Sequence, residues 1–112
     1  MNYFFLQKDL KSKIHFINAM TIETTILDFQ LSNTFEQYES HMNAEAQQSM
    51  FKEMGVKTFY IGKSLDDPQR ATVIFKGPEN VLYDIFMNPE TKPIVEASGH
   101  IDEGTKITRW IS

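Results

Sequence analysis

The chain has 112 residues, of which 41% are hydrophobic and 12% aromatic, and this composition fits one globular domain and excludes a disordered chain. It contains no cysteine, so disulfides, thiolate metal sites and thiol nucleophiles are excluded, and we expect a cytoplasmic protein. The net charge of −4 does not favour a nucleic acid partner, and no apolar run approaches the ~20 residues that a membrane-spanning helix needs.

Residues 1–20 differ from the rest of the chain in charge. They contain three lysines and one aspartate, a balance of +2, which leaves −6 for residues 21–112. Their apolar residues recur at steps of three and four, as in an amphipathic helix: Tyr3, Leu6, Leu10, Ile14 and Ile17. Such a basic stripe can dock on a membrane surface or a partner. We interpret the segment as an N-terminal extension that is either helical or not translated because the true start is Met20.

A regular pattern begins after this extension. β-Branched residues with apolar positions on both alternating faces predict a strand over residues 21–31, TIETTILDFQL, and suggest a sheet that is covered on both sides. Residues 32–55 predict one long helix, with Asn33 and Glu36 in a capping box and Gly55 at its end. Its buried stripe is expected at steps of three and four: Phe35, Tyr38, Met42, Ala46, Met50 and Met54.

A predicted hairpin and a second helical stretch follow. Residues 56–63 and 70–76 read as strands joined by the turn sequence SLDDPQ. Residues 77–98 predict a helical stretch that stops and restarts at Asn88-Pro89, because asparagine caps a helix and proline tolerates its first turn. We expect Pro93 to kink or shorten the second part, since proline removes a backbone donor.

Residues 104–112 form the last predicted strand, so the order after the extension is β-α-β-β-α-β. This is the ferredoxin-like α+β arrangement, a four-stranded antiparallel sheet with helices on one face. Two helices cannot cover both faces, so apolar residues are expected on the face left open: Ile22, Ile26, Phe59, Ile61, Ile74 and Trp110. An exposed patch of this kind usually marks a contact surface, and a second copy related by a two-fold axis would cover it.

Four stretches of the chain carry a family resemblance: FQLSNTFEQY, SLDDPQRATVIF, NPETKPIVEASGHI and TKITRW. In this order and spacing they resemble an uncharacterised family of the dimeric α+β barrel superfamily. That superfamily includes stress-responsive A/B-barrel domains and antibiotic-biosynthesis-type monooxygenases. The resemblance covers about residues 21–112 and implies the fold and a homodimer, and it leaves the activity open.

The histidines are the first candidates for chemistry near neutral pH: His15, His41 and His100. No two of them have i, i+2 or i, i+4 spacing, so no local metal motif is present, and we expect neither a metal nor a cofactor. His100 follows a helix-ending glycine, where it could line the rim of a pocket, act as a catalytic base or satisfy a helix end. His41 lies on the long helix and faces either a pocket or solvent.

Three aromatic residues with polar groups are candidate ligand contacts: Tyr38, Tyr60 and Trp110. Tyr60 and Trp110 are equally candidates for interface anchors, because tyrosine and tryptophan concentrate at interfaces. The adjacent Asp66 and Asp67 precede a proline, and a turn explains them better than a catalytic carboxylate pair does.

Two functions remain open, and the question of whether the protein is an enzyme remains open with them. The first is a non-enzymatic homodimer that binds a small apolar molecule or a protein partner, with a role in stress that the resemblance implies. The second, also implied by the resemblance, is a cofactor-independent monooxygenase or isomerase that acts on an aromatic substrate. An enclosed cavity with His100 or His41 pointing inward would favour the enzyme, and a filled space would favour the binder.

Overall fold

The computed structural model describes residues 21–112, so the expectations for residues 1–20 lie outside the described residues. The elements follow the predicted ferredoxin-like order, with each predicted helix divided in two. In chain order they are β1 (Ile22–Gln30), α1 (Phe35–Asn43), α2 (Glu45–Glu53), β2 (Lys57–Lys63), β3 (Arg70–Pro78), α3 (Val81–Met87), a short 3-10 helix (Pro89–Thr91), α4 (Lys92–Ala97) and β4 (Lys106–Ile111). No helix among these is long and apolar enough to cross a membrane.

The four strands form one antiparallel sheet in the order β2-β3-β1-β4, which confirms the predicted fold class. β1 lies in the interior of the sheet, where Ile22 pairs with Pro78 of β3 and Asp28 pairs with Lys106 of β4. Directly opposed residues point to the same face of a sheet. This register therefore decides which side chains the helices cover.

The helices cover one face of the sheet and enclose the core. Leu27 and Phe29 of β1 are fully buried there, as the alternation in the sequence predicts. The whole core cluster joins this face to the helices: Leu27, Phe29, Leu31, Tyr38, Met42, Phe51, Met54, Val56, Ala71, Val73, Phe75, Val81 and Leu82. The other face, which we call the open face, has no helix of the described chain packed on it.

A bulge in β2 turns Ile61 toward the core, opposite to its predicted orientation. Strict alternation placed Phe59 and Ile61 together on the open face, but the pairing register shifts between Thr58 and Tyr60. The extra residue reverses the alternation. Ile61 consequently pairs with Val73 and packs against the core, so its assignment to the open face is wrong.

The long predicted helix is broken at Ala44, whose ψ of 142° is extended rather than helical. The break frees a backbone carbonyl in the last turn of α1, and the side-chain amide of Gln48 donates to the carbonyl oxygen of Met42 at 2.6 Å. The break also changes which residues face the sheet. Ala46, predicted in the buried stripe, is exposed, whereas Phe51 of α2 is buried.

The cap of α1 lies one residue later than predicted. The Thr34 hydroxyl accepts from the backbone N–H of Gln37, and the Gln37 side chain accepts from the backbone N–H of Thr34, both at 3.1 Å. This is a capping box. Asn33, the predicted cap, instead donates through its side-chain amide to the carbonyl oxygen of Ser98 at 3.0 Å. It therefore connects the end of β1 to the loop that precedes β4.

The second helical stretch divides at Asn88-Pro89, as predicted. The Asn88 side-chain oxygen accepts from the backbone N–H of Glu90 at 3.0 Å and so caps the 3-10 helix. Pro93 lies in the first turn of α4, where a backbone N–H has no intrahelical acceptor. The helix begins just before this proline and has only six residues, which fits the predicted shortening rather than a kink.

A buried carboxylate closes one end of the covered face. Glu23 accepts hydrogen bonds from Nε and Nη2 of Arg109, both at 2.8 Å, and from the hydroxyl of Thr25 at 2.8 Å. The backbone N–H of Asn80 donates to it at 3.0 Å. These donors, Arg109 first among them, lower the pKa of Glu23 to about 2. Its charge is satisfied within the protein, so this cluster needs no ligand.

We expect Gly99→Ala to destabilise the domain more than Gly104→Ala. Both glycines have positive φ, +102° and +79°, and a side chain in left-handed conformation costs about 1–2 kcal/mol. At Gly99 an added Cβ would also lie 2.0 Å from the side-chain oxygen of Asn33, whereas nothing lies within 4 Å at Gly104. Urea denaturation of the two variants measures the difference, and equal losses of stability would contradict the role of this close contact.

Candidate functional site

The loop between α4 and β4 carries His100 into the interior. The chain turns at Gly99, and the backbone N–H of Ser32 donates to the Gly99 carbonyl at 2.8 Å. His100 then forms an isolated β-bridge with Leu31, and the backbone N–H of Ile101 donates to the end of β1 at 2.9 Å. His100 is therefore only 2% exposed, deeper than a pocket rim, which was one of the three positions that the sequence left open.

The His100 ring is held between aromatic side chains. It stacks on Phe29 with ring centroids 3.8 Å apart and an interplanar angle of 5°, and Phe86 lies at 5.7 Å in a tilted contact. Burial lowers the pKa of His100 to about 4, although the nearby charge of Asp102 opposes the shift. The imidazole is consequently neutral at neutral pH.

Hydrogen bonding assigns the proton of this neutral ring. Nε2 of His100 lies 2.8 Å from the hydroxyl oxygen of Thr105. That hydroxyl has one proton, which it donates to the carbonyl oxygen of Ile101 at 3.0 Å. We infer that Thr105 accepts from Nε2–H, which leaves Nδ1 as an unprotonated acceptor. Within residues 21–112, Nδ1 has no hydrogen-bond partner.

A cavity of about 70 Å³ lies between the helices and the covered face of the sheet. This is roughly room for five water molecules and about half of the ~150 Å³ that encloses a benzene ring, so an aromatic ring would be only partly enclosed. The wall is mainly apolar and includes residues of all four helices, among them Met42, Met50, Phe51, Met54, Leu82, Ile85, Phe86 and Val95. Ile94 also lines the cavity and is 57% exposed, so the cavity reaches the protein surface beside α4.

The cavity brings together three of the five predicted ligand contacts, namely Tyr38, His41 and His100. Tyr60 and Trp110 lie on the open face, 54% and 59% exposed, with the sheet between them and the cavity. These two residues therefore cannot contact the same ligand as the first three in one copy of the domain. Their interpretation as interface anchors stays a prediction.

Sequence reasoning missed several cavity residues. Thr91 and Ser98 are buried polar residues on the wall, and each hydroxyl donates to a backbone carbonyl of its own helical region. The methionine series was interpreted as core packing, and Met42, Met50 and Met54 in fact line both the core and the cavity. A threonine and a serine in short helical turns are common for local reasons, so no signal in the sequence singles them out.

The open face combines exposed apolar side chains with positive charge. Its residues are Ile22, Thr24, Ile26, Asp28, Lys57, Phe59, Tyr60, Arg70, Thr72, Ile74, Lys76, Lys106, Thr108 and Trp110. Lys57 and Lys76 flank the ring of Phe59, with their Nζ atoms 5.5 and 4.4 Å from its centroid. Arg70 pairs with Asp28 at 2.6 Å. Basic residues therefore dominate this face, opposite in sign to the domain as a whole.

Asp66 and Asp67 are held in the hairpin turn by local hydrogen bonds. The backbone N–H of Gln69 donates to the side chain of Asp67 at 2.9 Å, and the Ser64 hydroxyl accepts from the backbone N–H groups of Asp66 and Asp67 at 3.2 Å. The turn explanation of this pair is therefore supported. Across residues 21–112, no cluster of three acidic or histidine side chains suited to a metal ion is found.

The fold and these surfaces define a small ferredoxin-like α+β domain with a cavity under its helices and an open sheet face. The chain belongs to the family described as a domain of unknown function, DUF3764, whose model matches residues 22–112. This confirms the resemblance to an uncharacterised family, and the link to the dimeric α+β barrel superfamily stays a prediction. No curated protein and no solved structure matches the chain.

We expect stability to fall by about 2 kcal/mol between pH 7 and pH 5 because of His100. The unfolded chain takes up a proton near the ordinary pKa of 6.5, whereas the folded chain does not until about pH 4. Protonation therefore favours the unfolded state throughout this window. The carboxylate of Glu23 adds little here, since its unfolded pKa of 4.5 lies below the window.

Urea denaturation at the two pH values measures this loss. The His100→Asn variant should lose most of the pH dependence, and the half-buried His41 provides the matched control variant, His41→Asn. A pH dependence that survives unchanged in His100→Asn would show that another group is responsible.

Proposed function

We propose that the domain binds a small, mostly apolar molecule in the cavity between its helices and its sheet. One observation carries the proposal: the apolar wall includes two buried side chains, Tyr38 and His100, each with a polar atom that no described residue pairs. Neither atom is fully enclosed, so each is open to whatever occupies the cavity, and polar atoms in such positions are nearly always paired with protein, water or ligand. A ligand in the cavity would supply the missing partners.

Binding has more support than catalysis. A cavity lined by both His100 and His41, rather than a filled space, is the arrangement expected for the alternative, a cofactor-independent monooxygenase or isomerase acting on an aromatic substrate. A general base works best when its pKa lies near the working pH, and the pKa of His100 is about 4. An imidazole of this kind accepts a hydrogen bond at neutral pH but is a weak base for removing a proton.

We expect an apolar probe, toluene, to shift the NMR signals of the methionine methyl groups that line the cavity. Met42, Met50 and Met54 lie on its wall, whereas Met87 of α3 does not and serves as an internal control. The experiment uses protein labelled with 13C at the methionine methyl groups. Absence of shifts at the three wall residues, or shifts confined to Met87, would contradict binding in this cavity.

A matched pair of variants in α4 tests whether the cavity volume is needed. Val95 lines the cavity and Ala97 does not, although both lie on the same short helix. Val95→Trp should fill the space and abolish the shifts caused by toluene. Ala97→Trp, on an exposed position, should leave them unchanged.

We also propose that a second copy of the chain covers the open face, giving a homodimer. The support is the group of large apolar side chains that stay exposed there, including Phe59, Tyr60 and Trp110. A two-fold axis presents the same patch from both copies, and aromatic residues are the usual anchors of such contacts. Because both faces are basic, their repulsion weakens the dimer, and added salt should strengthen it by screening.

We expect Trp110→Ser to weaken the dimer about 30-fold, the effect of losing one interface anchor worth ~2 kcal/mol. Leu65→Ser is the matched control, because Leu65 is 99% exposed in the hairpin turn, away from the open face. Sedimentation equilibrium at low and high salt measures both variants. Chains beginning at Met1 and at Met20 separate any effect of residues 1–19. A monomeric wild-type chain, or equal effects of the two substitutions, would contradict the proposal.

A further inference from the structure

The cavity leaves a hydrogen-bond acceptor open at His100. The Nε2–H group of this ring is used by Thr105, so the unpaired atom is Nδ1, which has a lone pair and no proton. Nδ1 is not among the fully enclosed unpaired atoms, although the side chain as a whole is buried. The space that His100 lines is the cavity. A molecule in the cavity can therefore satisfy this atom only by donating a hydrogen bond.

Tyr38 places a second polar atom nearby. Its ring meets Phe29 edge-on with centroids 5.2 Å apart, and His100 stacks on the same phenylalanine. The Tyr38 hydroxyl has no partner in residues 21–112, and it too is absent from the fully enclosed unpaired atoms. Both rings contact one side chain, Phe29, and both side chains line the cavity. The hydroxyl can donate to an oxygen of the molecule that His100 accepts from.

The cavity offers nothing to balance a charge. Its described lining contains no aspartate, glutamate, lysine or arginine. An ion transferred to such a wall would lose its hydration without gaining a counter-ion, which is strongly unfavourable. We therefore expect a neutral ligand with a polar group that His100 and Tyr38 can pair, and Gln47 and His41 are further polar side chains on the wall.

We propose that the ligand is a neutral, single-ring compound with a hydroxyl group, of the phenol class. Its O–H donates to Nδ1 of His100, its oxygen accepts from the hydroxyl of Tyr38, and its ring packs among the methionine and leucine side chains of the wall. This inference rests on the proposed function, since it names the chemistry of the molecule that the cavity binds.

The test compares phenol with toluene, which has nearly the same size but no hydroxyl. Binding is measured by titrating each into protein labelled at the methionine methyl groups. In the Tyr38→Phe variant, which removes only the oxygen, we expect the preference for phenol over toluene to fall about fivefold to tenfold, as for one lost hydrogen bond. Tyr60→Phe is the control, because it removes the same oxygen from a tyrosine on the open face, across the sheet from the cavity, and it should keep the wild-type preference.

The 15N signals of His100 supply a second measurement on the wild-type protein. We expect the free protein to show the Nε2–H tautomer, and phenol but not toluene to shift Nδ1. An unchanged phenol preference in Tyr38→Phe, an unshifted Nδ1 or an Nδ1–H tautomer would overturn the assignment of the ligand class. In those cases the methionine shifts with toluene would still support the cavity as a binding site, whereas their absence would overturn the proposed function itself.

Discussion

The positions of His100 and α4 depend on one attachment, which joins the loop between α4 and β4 to the end of β1. Gly99 adopts a backbone conformation that favours glycine, and its carbonyl accepts from Ser32, while Leu31 and His100 form a β-bridge. These backbone bonds place an imidazole against Phe29 in the core. The same attachment sets the position of α4, which ends at this loop and forms part of the cavity wall. The candidate site is thus a consequence of how two distant parts of the chain are joined.

The helices that cover the sheet are short, and residues of all four line the cavity. Ala44 interrupts the first helical stretch, and Asn88-Pro89 interrupts the second. Each short helix therefore forms only a small part of the cavity wall. Short segments can tilt independently and need not fill the space beneath them as a continuous stripe would. The freed backbone groups are satisfied locally, as in the bond from Gln48 to Met42. The breaks therefore cost few hydrogen bonds while leaving room for a ligand.

The pairing register of β1 places different kinds of side chain on the two faces of the sheet. Along β1 the covered positions hold Leu27 and Phe29, and the intervening open positions hold Ile26 and Asp28. The covered face gains stability from apolar burial. Its buried titratable groups in β1 and in the α4–β4 loop are Glu23, which is paired with Arg109, and His100, which is neutral. The open face keeps apolar and basic side chains together, a composition that suits contact with another surface. Cavity and contact surface are accordingly separated by the thickness of the sheet.

The sequence by itself determined the order of elements, the alternation of β1 and the division at Asn88-Pro89, because these depend on periodicity and on local backbone preferences. It also identified Tyr38, His41 and His100 as candidates, although not that they share one cavity. Only the tertiary structure decided the break at Ala44, the bulge that turns Ile61 inward and the burial of His100. Alanine is a good helix former and a bulge has no residue signature here, so neither feature has a local signal in the sequence. The depth of His100 depends on backbone bonds to residues almost seventy positions earlier, and a local pattern carries no information about contacts at that distance.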